Sequence, residues 1–488
     1  IIFSYPLMLK QNKDSYNVIF IMADQMKATS SNLYSRMGVE TPNLKSIVQD
    51  GVLFNNAVTP HPLCVPARTS IMSSRYPHTT GCRRNETLMP DNEVHVFDVW
   101  KRNGFKTGLI GKNHCFETKK DISSFDTFVE YDHLGTNDNR TDMPWITPQI
   151  SYKITDDPIE TYGSFLIAEK TLEFLEGNKD NPFALWVSFP DPHEPYEVPM
   201  KYFNEVKDTF EFPQLRNDEF SDGTAPERNI LLNKILSMNN ASIEEKQNLI
   251  TVYMAMVKFV DDSIGTILNK LEELNLKRKT IIVFTADHGD FSGEHDMIVK
   301  GGVFYDCLTR VPLIISSENI PFKNKEIDHP VNTIDIMPTI LELQGLEIPK
   351  SFQGNLLPIN DDIKPQKASF SEYGTGGKPF LLEDLKKLKK PYGYKTLIES
   401  LWAREAEGRR KMVRTKDWKY VYDSMGDKDE LYDLKNDPWE HYNLALEEKY
   451  LKKKNELKSL LLDWMIETED PYPVPLPESV GPEWLNQL

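Results

Sequence analysis

At 488 residues, with 39% hydrophobic and 27% charged side chains, the chain is long enough for a large buried core and has the composition of a globular protein. A formal net charge of −17 excludes a nucleic-acid groove, which needs net positive potential, and means that an anionic substrate must be met by locally concentrated cations. No apolar run reaches the length of a membrane span, and Cys64, Cys82, Cys115 and Cys307 show neither C-x-x-C nor zinc spacing.

The opening run, Ile1-Ile2-Phe3-Ser4-Tyr5-Pro6-Leu7-Met8-Leu9, suits the remnant of a secretory hydrophobic region, an N-terminal strand or a cloning scar alike. Asn17 to Met22 is a continuous apolar run of strand length, the pattern of a parallel strand buried on both faces, and it ends in Ala23-Asp24-Gln25. Polar residues at the carboxyl end of such a strand stand where open α/β sheets bind ligands; Asp24 also suits a helix N-cap or turn. Thr41-Pro42-Asn43-Leu44 reads as a helix start, and Gly51 to Phe54 as a short strand. In the stretch Pro62-Leu63-Cys64-Val65-Pro66-Ala67-Arg68, Pro66 fits a first helical turn, where its missing N–H has no intrahelical partner. Cys64 then lies at the positive end of a helix, which favours a thiolate or a bound anion, and Arg68 adds a fixed charge one turn on. The ordinary alternative is a buried structural cysteine.

The pattern formed by Cys64, Pro66 and Arg68, continued by Thr69-Ser70-Ile71, an apolar residue and Ser73, resembles the signature of the type I sulfatases in the alkaline phosphatase superfamily. The resemblance implies that a formylglycine-generating enzyme oxidises Cys64 to formylglycine, whose hydrated aldehyde is the nucleophile. It departs at Ser74, where the family usually has glycine within the segment recognised for maturation. In the family the position of Asp24-Gln25 is usually Asp-Asp, and both carboxylates bind a divalent metal. Gln25 replaces the second, as in relatives of choline sulfatase and phosphonate monoester hydrolase, leaving an amide oxygen as ligand and one negative charge fewer. With Cys64 reserved for chemistry, three cysteines remain and a fully paired disulfide framework is excluded.

Arg83, Arg84 and Asn85 follow closely and are substrate-pocket candidates in so acidic a chain. Val96 to Arg102 reads as a short amphipathic helix stopped by Gly104, and Thr107 to Gly111 as a strand delivering Lys112-Asn113-His114. Strand alternation puts Lys112 and His114 on one side, and the segment resembles the family's G-K-x-H, whose lysine and histidine contact the formylglycine. Residues 117–158 read as a loop-rich insertion. Phe165 to Leu175 has helical spacing closed by Gly177, and Phe183 to Phe189 is another buried strand. Its end, Pro190-Asp191-Pro192-His193-Glu194-Pro195-Tyr196, matches the family segment that places a histidine near the ester oxygen. A second polar insertion spans 202–240.

Ser242 and Glu245 form a capping box, and Leu249, Val252, Tyr253, Met256, Val260, Ile264, Ile267, Leu268 and Leu271 mark the core face of a long helix. Thr280 to Thr285 is a strand ending in Ala286-Asp287-His288-Gly289-Asp290. Asp287 and His288 offer oxygen and nitrogen ligands that, with Asp24 and Gln25, complete a divalent metal site. Asp287-His288-Gly289, then Gly293-Glu294-His295 and Lys300-Gly301-Gly302, resembles the family's second signature, in which the lysine contacts sulfate. His295 is read as structural and Cys307 as unreactive. Thr333 to Thr339 begins a helix ended at Gly345. Proline-bearing sequence from Ile348 to Lys367 divides a catalytic domain, 1–365, from a C-terminal subdomain, 366–488. There Met412 to Tyr422 alternates as a strand, Lys386 to Lys390 reads as a solvated helix face, and Glu430 to Leu434, Asn436-Asp437-Pro438 and Asn443-Leu444 resemble the family's small antiparallel sheet with a helix.

The resemblance therefore implies an α/β fold, a large mixed and mostly parallel sheet sandwiched by helices, with a smaller α+β subdomain. It implies a sulfatase acting on a sulfated small molecule or glycan. One divalent metal, calcium first with magnesium or manganese as alternatives, is held by Asp24, Gln25, Asp287, His288 and formylglycine at position 64. Arg68 and Lys112 hold the geminal diol, His193 or Lys300 protonates the leaving oxygen, and His114 assists loss of the second proton. A phosphonate or phosphate ester hydrolase on the same scaffold, and an unmatured glycan-binding relative, are the competing readings. A periplasmic or secreted location is expected, with a cytoplasmic one as alternative.

Overall fold

The computed structural model describes residues 16–117, 121–131, 143–406 and 408–469; the opening apolar run lies outside them. The buried apolar runs become the strands of an 8-stranded sheet. In chain order these are β1 (Asn17–Ala23), β2 (Gly51–Phe54), β3 (Lys106–Gly111), β4 (Thr127–Glu130), β5 (Phe183–Phe189), β6 (Thr280–Ala286), β7 (Leu313–Ser316) and β8 (Lys325–Ile327). Their spatial order is β8-β2-β7-β6-β1-β5-β3-β4. Only β7 runs antiparallel to its neighbours, so the sheet is mixed but mostly parallel.

Helices cover the sheet. The longest, Ile243–Glu273, starts at the expected capping box, with Ser242 Oγ accepting from Glu245 N–H and the Glu245 carboxylate accepting from Ser242 N–H. Its apolar face joins the main core against the helix Gly163–Asn178, which runs past the Gly177 expected to close it. Both polar insertions carry structure of their own: β4 lies in the first, and the helix Glu227–Leu236 in the second.

The C-terminal part forms a second sheet, ordered β9 (Ser369–Tyr373), β10 (Arg410–Arg414), β11 (Trp418–Asp423) and β12 (Glu430–Asp433), antiparallel throughout. The alternating run read as one strand is thus two, folded back where Thr415 N–H bonds to Trp418 O. The helix Leu451–Glu467 packs Leu457, Leu461 and Trp464 on this sheet. Trp464 stacks on Phe370 at 4.8 Å and meets the edge of Tyr76 at 4.9 Å, tying the sheet to the segment just beyond Cys64–Ser73. Arg410 donates to Gly302 O and its guanidinium lies over the Tyr373 ring, so the second sheet also grips the loop that carries Lys300.

Candidate active site

Strands β6, β1, β5 and β3 are adjacent and parallel, so their carboxyl ends meet at one edge of the sheet. Ala23 pairs with Ala286, which sets Asp24 and Asp287 side by side one residue further on. Gly111, at φ 112°, lets the chain turn off β3: a Cβ there would lie 1.9 Å from Ser188 O, and the turn delivers Lys112 to the same edge. Gly289 allows a similar approach beside His288, where a Cβ would meet Cys307 O at 1.9 Å.

Cys64 is the first residue of the helix Cys64–Ser73, which is buried along its whole length. Leu63 offers no capping side chain, and Asn85 supplies one from outside: its Oδ1 accepts from Val65 N–H at 3.2 Å. Asn85, expected in a substrate pocket, thus holds the start of the cysteine helix. The helix ends on Ser74 in the left-handed region, φ 51°, where glycine is favoured. Ser74 Oγ compensates by donating to Ile334 O at 2.7 Å and accepting from Gly354 N–H at 3.1 Å.

Around Cys64 the charges converge. Its Sγ lies 3.1 Å from His288 Nε2, 3.8 Å from Asp24 Oδ1 and 4.0 Å from Lys112 Nζ. Lys112 Nζ is ion-paired with Asp24 Oδ2. Arg68, fully buried, binds Asp287 Oδ2 at 2.8 Å and Asp24 Oδ2 at 3.3 Å, and donates to Lys112 O and Ser188 Oγ, each at 2.9 Å. The Oδ1 atoms of both aspartates are left 3.8 Å from His288 Nε2. His288 Nδ1 faces Gly289 O at 3.0 Å, which fixes the ring with Nε2 toward the cluster.

Burial and Asp24 push the Cys64 thiol up, but the charges of Lys112, Lys300 and His288 outweigh them and hold it well below the ordinary thiol range. For His288 burial lowers the pKa, and the negative charges of Asp287 and Cys64 more than reverse this. The donor atoms of Asp24, Cys64, Asp287 and His288 all lie within 4.8 Å of one another. Two carboxylates and an imidazole, with Arg68 held on the far oxygens, fit a hard divalent cation.

Next to this cluster is a second one. Gln25, at φ 64°, donates its amide N–H groups to Glu194 Oε2 at 2.8 Å and Asp290 Oδ2 at 2.5 Å, and its Oε1 accepts from Lys300. The expected metal ligand is therefore clamped by two carboxylates and turns its oxygen to the lysine. Lys300 Nζ also reaches His193 Nε2 at 2.7 Å, while His193 Nδ1 donates to Glu194 O at 2.6 Å. Burial works against the Lys300 charge, but Cys64, Glu194, Asp24 and Asp287 raise its pKa above the ordinary lysine value. Glu194 and Asp290 stand in the motifs already singled out, but nothing in their spacing distinguished them from turn residues.

His114 follows Lys112 with φ 42°, its Nδ1 buried without a partner; no described hydrogen bond joins it to Cys64. Arg83 donates to Gly374 O at 3.4 Å, and Arg84 pairs with Glu86 at 3.3 Å. One buried group escaped notice in the sequence: His61, fully enclosed and stacked on Tyr373 at 5.0 Å, has neither ring nitrogen hydrogen-bonded. None of the four cysteines forms a disulfide, and all four are buried. Among the described residues no helix is long and apolar enough to cross a membrane.

A family model described as Sulfatase matches residues 16–346. The chain is 27% identical to the uncharacterized sulfatase YidJ of Escherichia coli, over 93% of this chain and 88% of that protein. It is 26% identical to the delta 4,5-hexuronate-2-O-sulfatase of Bacteroides thetaiotaomicron, over 95% and 91% of the two chains. The phosphonate monoester hydrolase structure of Agrobacterium radiobacter superposes with a TM-score of 0.76 at 21% identity, covering 93% of this chain and 96% of that one, which is a likeness of fold.

Proposed function

Because the chain belongs to the sulfatase family and is a sulfuric ester hydrolase, we propose that it acts on a sulfate monoester of a carbohydrate through formylglycine made from Cys64. The observation that carries this reading is the position of Cys64: first residue of a buried helix, within 4.0 Å of His288, Asp24 and Lys112. We take residues 1–365 as the catalytic part and 366–488 as the subdomain that braces it.

In this reading Asp24, Asp287, His288 and position 64 hold one divalent cation, calcium first, with Gln25 beside them. The cation supplies positive charge to the sulfate oxygens, and the hydrated aldehyde at position 64 supplies the attacking hydroxyl. Lys112 and Arg68 fix the carboxylates and keep position 64 in place. The Lys300–His193 pair stands ready to give a proton to the departing sugar oxygen, and the order of these hydrogen bonds supports a donor role. His114 would take the proton released when the aldehyde re-forms. Arg83 and Arg84 border the cysteine loop as substrate contacts. A sugar sulfate is supported by the named activity of the hexuronate sulfatase relative.

The test begins with the mass of the Cys64 peptide from the native host: formylglycine is expected, and thiol alone would favour a non-catalytic glycan-binding relative. Cys64→Ser, made where only cysteine is oxidised, should abolish turnover with the fold intact. A panel of sulfated oligosaccharides then identifies the sugar. The Asp24-Gln25 pair keeps a second reading open, an ester hydrolase for phosphonates or phosphodiesters. Faster turnover of a matched phosphodiester than of the sulfate would establish it instead.

A further inference from the structure

Away from the sheet edge, Glu219, His295 and His441 come together from three distant parts of the chain. Glu219 belongs to the second insertion, His295 to the turn leading toward Lys300, and His441 to the segment after β12. Glu219 and His295 are each 4% exposed, and His441 is half-buried. His295 Nδ1 donates to Glu219 Oε1 at 2.7 Å, and Tyr305 Oη donates to the same oxygen at 3.2 Å. The His295 ring is fixed by stacking on Tyr305 at 3.8 Å and by the edge of His441 at 5.8 Å. Arg216, from the same insertion as Glu219, holds the His441 carbonyl at 2.7 Å.

Two polar atoms of this cluster are left over. Glu219 Oε2 and His441 Nε2 are both buried with no hydrogen-bond partner. An ion pair between His295 and Glu219 accounts for one carboxylate oxygen only, and unmatched buried polar groups are costly and uncommon. Burial keeps His441 neutral, so its nitrogen offers a lone pair. One donor atom from each residue lies within 4.8 Å of the other two, and tetrahedral coordination at about 2.1 Å needs them about 3.4 Å apart, a small side-chain adjustment.

We propose that Glu219, His295 and His441 form a second metal site, separate from the sheet-edge cluster, for a first-row transition ion such as zinc. Two imidazoles against a single carboxylate suit zinc better than calcium, whose coordination shell is mostly oxygen. Coordination releases the His295 proton to solvent and turns a hydrogen-bonded contact into a clip joining the insertion, the Lys300 turn and the C-terminal part. Tyr305, itself receiving a hydrogen bond from Asn229 at 3.1 Å, orients the carboxylate from behind.

The test uses zinc itself on the full chain, stripped with chelator and reloaded with saturating calcium. Calorimetry and elemental analysis should find one tightly held zinc per chain in the wild type and in Asp287→Asn. His441→Ala and the isosteric Glu219→Gln should each weaken zinc binding by about tenfold or more. Zinc should raise the thermal midpoint of the wild type and not that of either variant. The proposal fails if the wild type retains no zinc, or if zinc binding is lost in Asp287→Asn and unchanged in His441→Ala. None of these readings depends on turnover, so the outcome is independent of the sulfatase assignment.

Discussion

Lys300 Nζ lies 2.7 Å from His193 Nε2, and the opposite nitrogen of that ring is engaged by Glu194 O at 2.6 Å. With Nδ1–H donated to the carbonyl, Nε2 is the accepting atom and the ammonium is the proton-bearing partner. The pair also holds the Gln25 amide oxygen through Lys300, beside the Cys64 cluster.

If it protonates the leaving group, the need for it depends on how basic that group is. His193→Ala and Lys300→Ala should slow hydrolysis of an unactivated sugar sulfate by about 10²-fold or more, and of nitrophenyl sulfate far less. Equal losses on both substrates would remove the pair from the proton-transfer step.

Asp287 shares the Arg68 guanidinium with Asp24 in a region from which water is excluded. Asp287→Asn leaves a buried cation half-compensated and removes a carboxylate from the donor cluster. We expect loss of divalent cation binding at the sheet edge and a destabilisation of about 3 kcal/mol. Metal analysis and denaturant unfolding check the two effects separately.

Ser74 adopts a left-handed backbone that costs a side chain about 1–2 kcal/mol, offset by its two Oγ hydrogen bonds. Ser74→Gly removes the strain together with the bonds and should change stability by less than about 1 kcal/mol. Ser74→Ala keeps the strain and loses the bonds, so it should cost about 2 kcal/mol. If the hydroxyl contacts contributed nothing, Ser74→Ala would unfold at the wild-type midpoint and Ser74→Gly above it.

His61 is held neutral: burial outweighs the attraction of Glu372 and lowers its pKa from 6.5 to about 3, with Arg83, His288 and Lys411 adding to the effect. The unfolded chain takes up a proton near pH 6.5 that the folded chain refuses until about 3. Stability from this group is therefore complete above 6.5 and is lost as the pH falls toward 3, by about 1.4 kcal/mol per pH unit. His61→Phe, which retains a ring against Tyr373, should make the acid side of the stability profile shallower by one proton. An unchanged slope would place a proton on His61 in the folded state.

Much of the fold was legible because its signals are local. Long apolar runs such as Asn17–Ala23 and Thr280–Ala286 can only be strands buried on both faces, and the polar residues that end them had to fall at a sheet edge. The hairpin within Met412–Tyr422 was not legible, since alternation continues through a tight turn. The helix Gly163–Asn178 overran Gly177 because one exposed glycine costs a packed helix little.

The sequence by itself determined which residues are available: a cysteine at a helix start, aspartates and a histidine after buried strands, and a lysine and histidine after two more. Only the tertiary structure decided how they are paired, because hydrogen bonding between residues hundreds of positions apart depends on strand order and register. The parallel order β6-β1-β5-β3 brought Asp24, Asp287, Lys112 and His193 to one edge. Within it, close packing turned Gln25 toward Lys300, set Arg68 across both aspartates, and sent Asn85 to cap the cysteine helix. Each of these contacts satisfies a polar group that burial would otherwise leave unmatched, a requirement that exists only once the chain has folded.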